Sequence, residues 1–191
     1  MAALRAGLPQ APGLCVLTGG QTGVDTIAAV AALRAGLPVH LVFPRGLRQE
    51  DGPIPDARRR ELDGAVLHEL TSTEFRDRTW ACVGVSDAVI LVDPAGGDGC
   101  RETAVAATEL GRPLLALTQA TGGSRGPAAA GRGPAAADDV AGWLERTGGR
   151  VLMIAGCRGS LLRAAGAEEL AACQIATAVF VARKRHDQLT V

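Results

Sequence analysis

The strongest constraint on the fold is a regular alternation of short apolar runs with longer segments of helical periodicity. This alternation is typical of an α/β domain whose sheet is mostly parallel. A length of 191 residues suits one such domain, so we predict a single domain over 1–191 with about six strands. The predicted strands lie near Gly13–Thr18, Val39–Phe43, Gly64–His68, Ala88–Val92, Pro113–Thr118 and Arg150–Ile154. The predicted helices are Val24–Ala35, Ser72–Val83, Arg101–Leu110, Asp138–Arg146 and much of Leu161–Ala182.

Two stretches break this alternation. Pro44–Pro55 (PRGLRQEDGPIP) is too polar and too rich in proline for a regular element, and it follows a predicted strand. Because ligands of open α/β sheets bind outside the strand ends, we interpret it as a site loop, with a solvated connection as the alternative. The low-complexity run 120–137 predicts a flexible insert. Residues 174–191 are expected to form a C-terminal helix or tail, whose basic run Ala182–His186 is a solvated helix end.

The charge balance argues against nucleic acid as a partner. Twenty Lys and Arg residues balance twenty Asp and Glu residues, whereas a general nucleic-acid binder usually carries a basic excess. Charged residues interrupt every apolar run before it reaches the length of a membrane span, and the N-terminal segment lacks the apolar core of a signal peptide. We therefore expect neither a nucleic-acid partner nor a membrane partner.

The cysteines favour a reducing compartment. There are five, and they are scattered without a CxxC pair, which suits reduced thiols in a cytoplasmic protein better than a disulfide framework. Because the three His residues are also far apart, we predict no dedicated zinc site and no other metal site.

The first candidate binding loop is TGGQTGVD, residues 18–25, which follows a strand and opens a helix. Gly19, Gly20 and Gly23 let the backbone turn sharply and approach a ligand. The helix start offers unpaired N–H groups and a partial positive charge that suit an oxyanion, and Thr22 can add a hydroxyl donor. The loop is neither a Walker P-loop nor GxGxxG. We predict a phosphate site here, with a tight turn that holds no ligand as the alternative.

The second candidate loop is DPAGGDGCRET, residues 93–103, which again places glycines between an apolar strand and a helix start. Gly97, Gly99 and Cys100 lie in it and are candidate ligand contacts, although a buried, inert Cys100 is the commoner case. The two loops would face one crevice if their strands are neighbours in the sheet.

Charged side chains near these loops are expected to contact different parts of a ligand. Arg45 and Arg48 can pair with phosphate oxygens, since a guanidinium matches that geometry. Carboxylates can accept hydrogen bonds from ring N–H or sugar hydroxyl groups, and one of them can act as base or nucleophile in glycosidic cleavage. These carboxylates are Asp25, Glu50, Asp51 and Glu102. The alternative for Asp25 is that it only favours a helix start, and the alternative for Glu50 and Asp51 is that they are solvated loop charges.

Taken in order, these motifs resemble the molybdenum cofactor carrier family, a branch of the SLOG superfamily of Rossmann-like nucleotide-ligand proteins. The resemblance covers roughly Leu14 to Cys173 and rests above all on GGQTGVD (Gly19–Asp25) and PRGLRQEDGPIP. Further matching stretches are Arg78-Thr79, Ser86–Ala88, the glycine loop that ends at Gly99, Gly111–Pro113 and Arg150–Ser160. The resemblance implies a three-layer Rossmann-like fold, a homo-oligomer, and a pocket for molybdenum cofactor or a related phosphorylated heterocycle.

The same resemblance implies a set of ligand contacts, carried over residue by residue. They are Gly19, Gly20, Gln21, Thr22, Gly23, Asp25, Arg45, Gly46, Glu50, Asp51, Gly52, Gly99 and Thr103. The chain departs from the family pattern where Trp80 and Cys82 follow the Arg-Thr pair, at Cys100, and at Arg45 in place of Lys.

The second loop also looks like the PGGxGTxxE loop of the phosphoribohydrolase branch of the same superfamily, which releases the base from nucleoside 5′-monophosphates. Here the loop reads AGGDGCRET, so Glu102 lies one position early and would point about 100° away on a helix. We favour a small-molecule binding protein, with molybdenum cofactor as the bound ligand. The first alternative is a nucleotide N-glycosidase with Asp25 and Glu102 as catalytic residues, and the second is a nucleotide sensor that recruits a partner.

Overall fold

The computed structural model describes residues 2–8, 13–118 and 137–190. Its main feature is a six-stranded sheet in which every pair of neighbouring strands is parallel. The strands are β1 (Cys15–Thr18), β2 (Val39–Phe43), β5 (Val66–Glu69), β6 (Ala88–Asp93), β7 (Leu114–Thr118) and β8 (Val151–Gly156). Their spatial order is β5-β2-β1-β8-β6-β7. All six predicted strands and the Rossmann-like α/β fold class are confirmed.

The helices are more numerous than the sequence pattern predicted. The described residues form α1 (Ala2–Ala6), α2 (Val24–Arg34), α3 (Asp56–Glu61), α4 (Phe75–Val85), α5 (Asp98–Glu109), α6 (Ala137–Thr147), α7 (Gly159–Ala165) and α8 (Glu168–Thr190). Neither α1 nor α3 was predicted, and α3 buries no residue, so it carries no apolar periodicity. The single predicted helix over Leu161–Ala182 is two helices, because Gly166 ends α7 in the left-handed conformation.

The helices cover both faces of the sheet and make three layers. Alternate residues of β1 show the division, since Val16 belongs to one buried cluster and Cys15 and Leu17 belong to the other. The first cluster includes apolar residues of α2, α6 and α8, and the second includes residues of α1, α4 and α5. This arrangement leaves the carboxyl edge of the sheet free for loops.

The segment between Pro44 and Pro55 contains a small regular element that the sequence analysis did not predict. Strands β3 (Arg48–Gln49) and β4 (Gly52–Pro53) form an antiparallel hairpin, so the prediction that this stretch lacks regular structure was wrong. The side chain of Gln49 is buried, and its Nε2 donates to the carbonyl oxygen of Gly20 at 2.7 Å. The hairpin is thereby fastened to the loop after β1.

The C-terminal helix α8 packs on the sheet and on α2 and α6. Arg183 donates from Nη1 to the carbonyl oxygens of Ala35 and Gly36, and Nδ1 of His186 lies 2.8 Å from the carbonyl oxygen of Leu14. The basic run Ala182–His186 is therefore docked rather than a solvated helix end. The predicted insert 120–137 lies outside the described residues except for Ala137, which begins α6. Among the helices that the structure describes, none is long and apolar enough to cross a membrane.

Candidate functional site

A pocket with a volume of about 640 Å³ lies at the carboxyl edge of the sheet. Three loops surround it, namely those that follow β1, β6 and β8, together with the start of α4. Strands β1 and β6 are not neighbours, because β8 lies between them, yet their loops reach the same pocket. The sequence analysis expected a shared crevice only if these two strands were neighbours, and this condition is not needed. The loop after β8 fills the gap, and the crevice has three walls rather than two.

The loop after β1 uses its own backbone donors internally. The N–H groups of Gly20, Gln21 and Thr22 donate to Thr18 Oγ1, Asp25 Oδ2 and Gln21 Oε1 at 3.0–3.2 Å. The N–H of Val24, the first residue of α2, donates to the carbonyl oxygen of Cys157. These four N–H groups are thus already satisfied within the protein.

The glycines of this loop are required by close packing. A Cβ on Gly19 would lie 1.1 Å from Nη1 of Arg78, and one on Gly20 would lie 2.5 Å from the ring of Phe43. Gly23 has a φ of 78°, and its Cβ would lie 2.5 Å from the carbonyl oxygen of Cys157. These glycines therefore let neighbouring chain segments approach the loop, a role distinct from the ligand contact that the sequence predicts.

A buried ion pair forms part of the pocket wall. Nη1 of Arg78 donates to Oδ2 of Asp25 at 3.0 Å, and both side chains line the pocket. Burial raises the pKa of Asp25, while the Arg78 charge and the Gln21 N–H act in the opposite direction. Arg78 belongs to α4 and Asp25 to α2, so the pair joins helices from the two faces of the sheet.

Glu50 connects the hairpin segment to the loops after β1 and β8. Its carboxylate accepts hydrogen bonds from the Thr22 hydroxyl and from both the N–H and the hydroxyl of Ser160. Nε of Arg158 lies 3.5 Å from its Oε2. Burial acts to raise the pKa of Glu50, but the bonds from Ser160 and Thr22 and the charge of Arg158 outweigh it and lower the pKa. Glu50 is thus ionised and fully engaged in holding three segments together.

The loop after β6 differs from the loop after β1, because it ends in residues that line the pocket and whose N–H groups have no helical acceptor. The first intrahelical bond of α5 runs from Arg101 N to Gly97 O, which leaves the N–H groups of Asp98, Gly99 and Cys100 without a helical acceptor. These residues all line the pocket, and a Cβ on Gly99 would meet no atom within 4 Å. The hydroxyl of Thr103 is occupied, since it donates to Gly99 O at 2.9 Å.

Glu102 is held on the pocket rim by two donors. Nε of Arg76 lies 2.9 Å from its Oε1, and Nε1 of Trp80 donates to the same oxygen. The Trp80 bond, followed by the contact with Arg76, lowers the pKa of Glu102. Trp80 is therefore a partly buried donor to Glu102, with the Arg76 guanidinium 5.7 Å from its ring centroid. This carboxylate is ionised and engaged.

Two thiols meet at the floor of the pocket, 57 positions apart in the sequence. Sγ of Cys100 lies 3.6 Å from Sγ of Cys157, which is 3.0 Å from Oδ1 of Asp93. The hydrogen bond with Cys157, together with burial and the Asp93 charge, raises the pKa of Cys100. The bond from Cys100 lowers the pKa of Cys157, so this thiol ionises first. The spacing of the cysteines in the sequence gave no sign of this cluster.

One family model matches the sequence, that of the circularly permutated YpsA SLOG family, over residues 16–177. The chain belongs to this family. The match includes both glycine loops and the loop after β8 that completes the pocket. The membership of the SLOG superfamily that the motifs indicated is confirmed.

The solved structures include a relative of the same fold, a "Putative molybdenum carrier protein" from Syntrophus aciditrophicus SB. It has a TM-score of 0.66 and 20% sequence identity, and the alignment covers 88% of this chain and 97% of that chain. At this identity the likeness shows the shared fold. No curated protein matches the sequence.

The pocket of this SLOG-family chain brings together about half of the site residues predicted from the sequence. The predicted residues that line it are Gln21, Asp25, Glu50, Gly97, Gly99, Cys100, Glu102 and Thr103. The predicted residues that do not are Gly19, Gly20, Thr22, Gly23, Arg45, Gly46, Asp51 and Gly52. Arg45 and Asp51 are exposed, and Gly46 donates its N–H to Glu69 at the end of β5. Their assignment as ligand contacts stays a prediction.

Several pocket residues were not assigned to the site from the sequence. They include Phe75, Arg76, Arg78, Arg101, Cys157, Arg158 and Leu161. The stretches around Arg78 and Cys157 were recognised as family motifs, which was the available signal for both. Arg101 and Arg158 also lie in stretches that the sequence analysis singled out, whereas nothing marked Arg76, because an isolated Arg at a helix start is common on protein surfaces.

Proposed function

We propose that this chain binds a small phosphorylated heterocycle in the pocket, with its phosphate at the start of α5. The observation that carries the proposal is that Asp98, Gly99 and Cys100 line the pocket and that their N–H groups have no helical acceptor. The N-terminus of a helix also carries a partial positive charge, so an anion is stabilised there. The loop after β1, in which the N–H groups of Gly20, Gln21, Thr22 and Val24 already have acceptors, then acts as a wall.

The arginines at the rim can strengthen this anion site. Arg76, Arg101 and Arg158 line the pocket, and each pairs with a carboxylate while its own side chain stays largely exposed. Exposed pairs of this kind contribute only about 0–1 kcal/mol, so a guanidinium can turn to a bidentate phosphate contact at small cost. The buried Arg78 keeps its partner Asp25.

The remaining surface of the pocket suits a ring. Phe75, Leu161, Met153 and Ala155 supply apolar walls, and the volume of about 640 Å³ falls within the range of small-molecule sites. Family membership and the name of the structural relative favour molybdenum cofactor as the specific ligand, carried as cargo. A carrier of this kind would hold the ligand without converting it.

The geometry favours binding over glycosidic cleavage. Of the two carboxylates proposed for catalysis, Asp25 is paired with Arg78, and Glu102 accepts from Trp80 and Arg76. Neither is free to serve as a nucleophile without breaking these contacts. The nucleotide-sensor alternative requires the same pocket and differs only in a ligand-dependent partner.

The test is calorimetric titration of the protein with AMP, with a pterin monophosphate and with pyrophosphate, followed by mass spectrometry of the AMP mixture. We expect saturable binding of the phosphorylated rings and no free base. Released adenine would support the N-glycosidase instead. Binding of neither ring compound would contradict the proposal.

A matched pair of variants on α5 locates the site. Gly99→Val adds a side chain into the open space of the pocket and should weaken binding about tenfold or more, which corresponds to about 1.4 kcal/mol. Val105→Ala changes an exposed residue of the same helix that does not line the pocket, and should bind as the wild type does. Equal affinity of Gly99→Val and wild type would place the phosphate elsewhere.

The single-domain organisation over 1–191, the homo-oligomeric state and the cytoplasmic location stay predictions. Light scattering coupled to size exclusion would decide the oligomeric state, and limited proteolysis would test for a single cooperative unit.

A further inference from the structure

Three side chains with the donor atoms of a metal site meet at the pocket, and two of them line it. Asp93 ends β6, Cys100 lies in the first turn of α5, and Cys157 follows β8. Among the described residues, their ligand atoms form a cluster in which all lie within 4.8 Å of one another. The thiols are buried, whereas Asp93 is partly exposed.

The separations in this cluster match those of a tetrahedral thiolate site. With metal–sulfur bonds of about 2.3 Å, two ligands of a tetrahedral Zn²⁺ lie about 3.8 Å apart, and the two sulfurs here are 3.6 Å apart. A carboxylate oxygen that lies 3.0 Å from Cys157 Sγ needs to withdraw by only about 0.5 Å to become the third ligand. We propose that Asp93, Cys100 and Cys157 bind a thiophilic divalent cation such as Zn²⁺ or Cd²⁺.

The fourth position of this cation is directed at the pocket. Both cysteines line the pocket, whereas Asp93 does not. Three protein ligands with one open position are typical of zinc sites that contact a small molecule. Binding releases the two thiol protons to solvent, so the affinity for the cation rises with pH. The inference does not depend on the identity of the phosphorylated ligand, since the cation alone occupies the site.

A disulfide is the main competing role for this thiol pair. It would require the sulfurs to close from 3.6 Å to about 2.05 Å with loss of two electrons to an oxidant, and it would have no use for Asp93. The carboxylate accepts a hydrogen bond from Gly96 N–H at 2.9 Å, which fixes it beside the sulfurs. A fixed carboxylate next to two buried thiols is better matched to a cation than to a disulfide.

The test is titration of the reduced full-length protein with Cd²⁺, followed by the ultraviolet charge-transfer absorption of cadmium–thiolate bonds. We expect one saturable cadmium per chain, displaced by Zn²⁺. Cys100→Ala and Cys157→Ala should lose the saturable phase. Asp93→Asn keeps the acceptor for Gly96 and should weaken binding about tenfold or more. Cys173→Ala removes the exposed thiol outside the cluster and should titrate as the wild type does.

Three results would overturn the proposal. The first is the absence of a saturable phase in the wild type, and the second is an unchanged phase in Cys100→Ala and Cys157→Ala. The third is oxidation of the pair to a disulfide under air while Cd²⁺ is present, measured by mass after alkylation. Melting curves of each variant without cation show whether it is folded, and the partly exposed Asp93→Asn keeps the test valid if a buried Cys variant does not fold.

Discussion

Nη1 of Arg78 lies 3.0 Å from Oδ2 of Asp25, and both side chains are more than nine-tenths buried. The contact joins a helix on one face of the sheet to a helix on the other. Loss of the Arg78 guanidinium would leave a buried carboxylate without its opposite charge, which typically costs about 3–5 kcal/mol.

Arg78→Met should therefore lower the free energy of unfolding by about 3–5 kcal/mol in urea denaturation. The double variant Asp25→Asn/Arg78→Met, which removes both charges, should recover part of the loss. A double variant no more stable than Arg78→Met would mean that packing, and not the unpaired charge, sets the cost.

Gly19→Ala should be destabilising because the new Cβ would lie 1.1 Å from the guanidinium of Arg78. We expect a loss of about 1–3 kcal/mol, the usual cost of overpacking, together with displacement of the ion pair. Gly99→Ala is the matched control, since its Cβ meets no atom within 4 Å. The denaturation midpoint of Gly19→Ala should be lower than that of Gly99→Ala. Equal midpoints would argue against close packing at Gly19.

Glu50→Gln should destabilise the chain at neutral pH by about 1–2 kcal/mol, because charged hydrogen bonds to Ser160 and Thr22 are weakened. The lowered pKa means that this stabilisation is fully present above the ordinary pKa near 4.5 and is lost as the pH falls through the folded value. The exposed neighbour supplies the control, as Asp51→Asn should leave the stability at pH 7 unchanged. Urea titrations at pH 7 and pH 4 measure both effects, and an Asp51→Asn loss as large as that of Glu50→Gln would contradict this role.

His40 should make the fold acid-sensitive well above the pKa of the carboxylates. Its Nδ1 lies 2.9 Å from Nε2 of His68, and burial followed by the His68 charge lowers the pKa of His40 to about 4. In the unfolded chain His40 binds a proton near pH 6.5, whereas in the folded chain it binds one only near pH 4. The free energy of unfolding therefore falls as the pH drops from about 6.5 towards 4. His40→Gln should flatten the slope of unfolding free energy between pH 7 and 5. A slope identical to that of the wild type would assign the sensitivity to other groups.

Much of the sheet could be predicted, because each buried parallel strand is a short apolar run bounded by turn residues. The strand order could not be predicted, since Val151–Gly156 resembles the other runs and only tertiary pairing places it between β1 and β6. The polar helix Asp56–Glu61 was not predicted, because it buries no residue and therefore has no periodic pattern of apolar residues.

At the site, the sequence predicted the loops after β1 and β6 as parts of the pocket, but neither the loop after β8 nor how each loop works. The glycines after β1 were interpreted as ligand contacts, whereas Gly19 and Gly23 are required by Arg78 and by the backbone at Cys157. Close packing and a phosphate cradle demand the same residue type, so composition alone does not separate them. The Cys100–Cys157 contact depends on two distant strand ends and has no local signal.

Because β8 lies between β1 and β6, the sheet cannot be completed until late in the synthesis of the chain. Until residues 151–156 leave the ribosome, β1 and β6 each present an apolar strand whose inner edge has no partner. The nascent chain would then hold two half-sheets, β5-β2-β1 and β6-β7, that cannot join. Pairing of strands that are so distant in the sequence is slow and leaves unpaired strand edges exposed to aggregation. We therefore expect this protein to need chaperones during its synthesis.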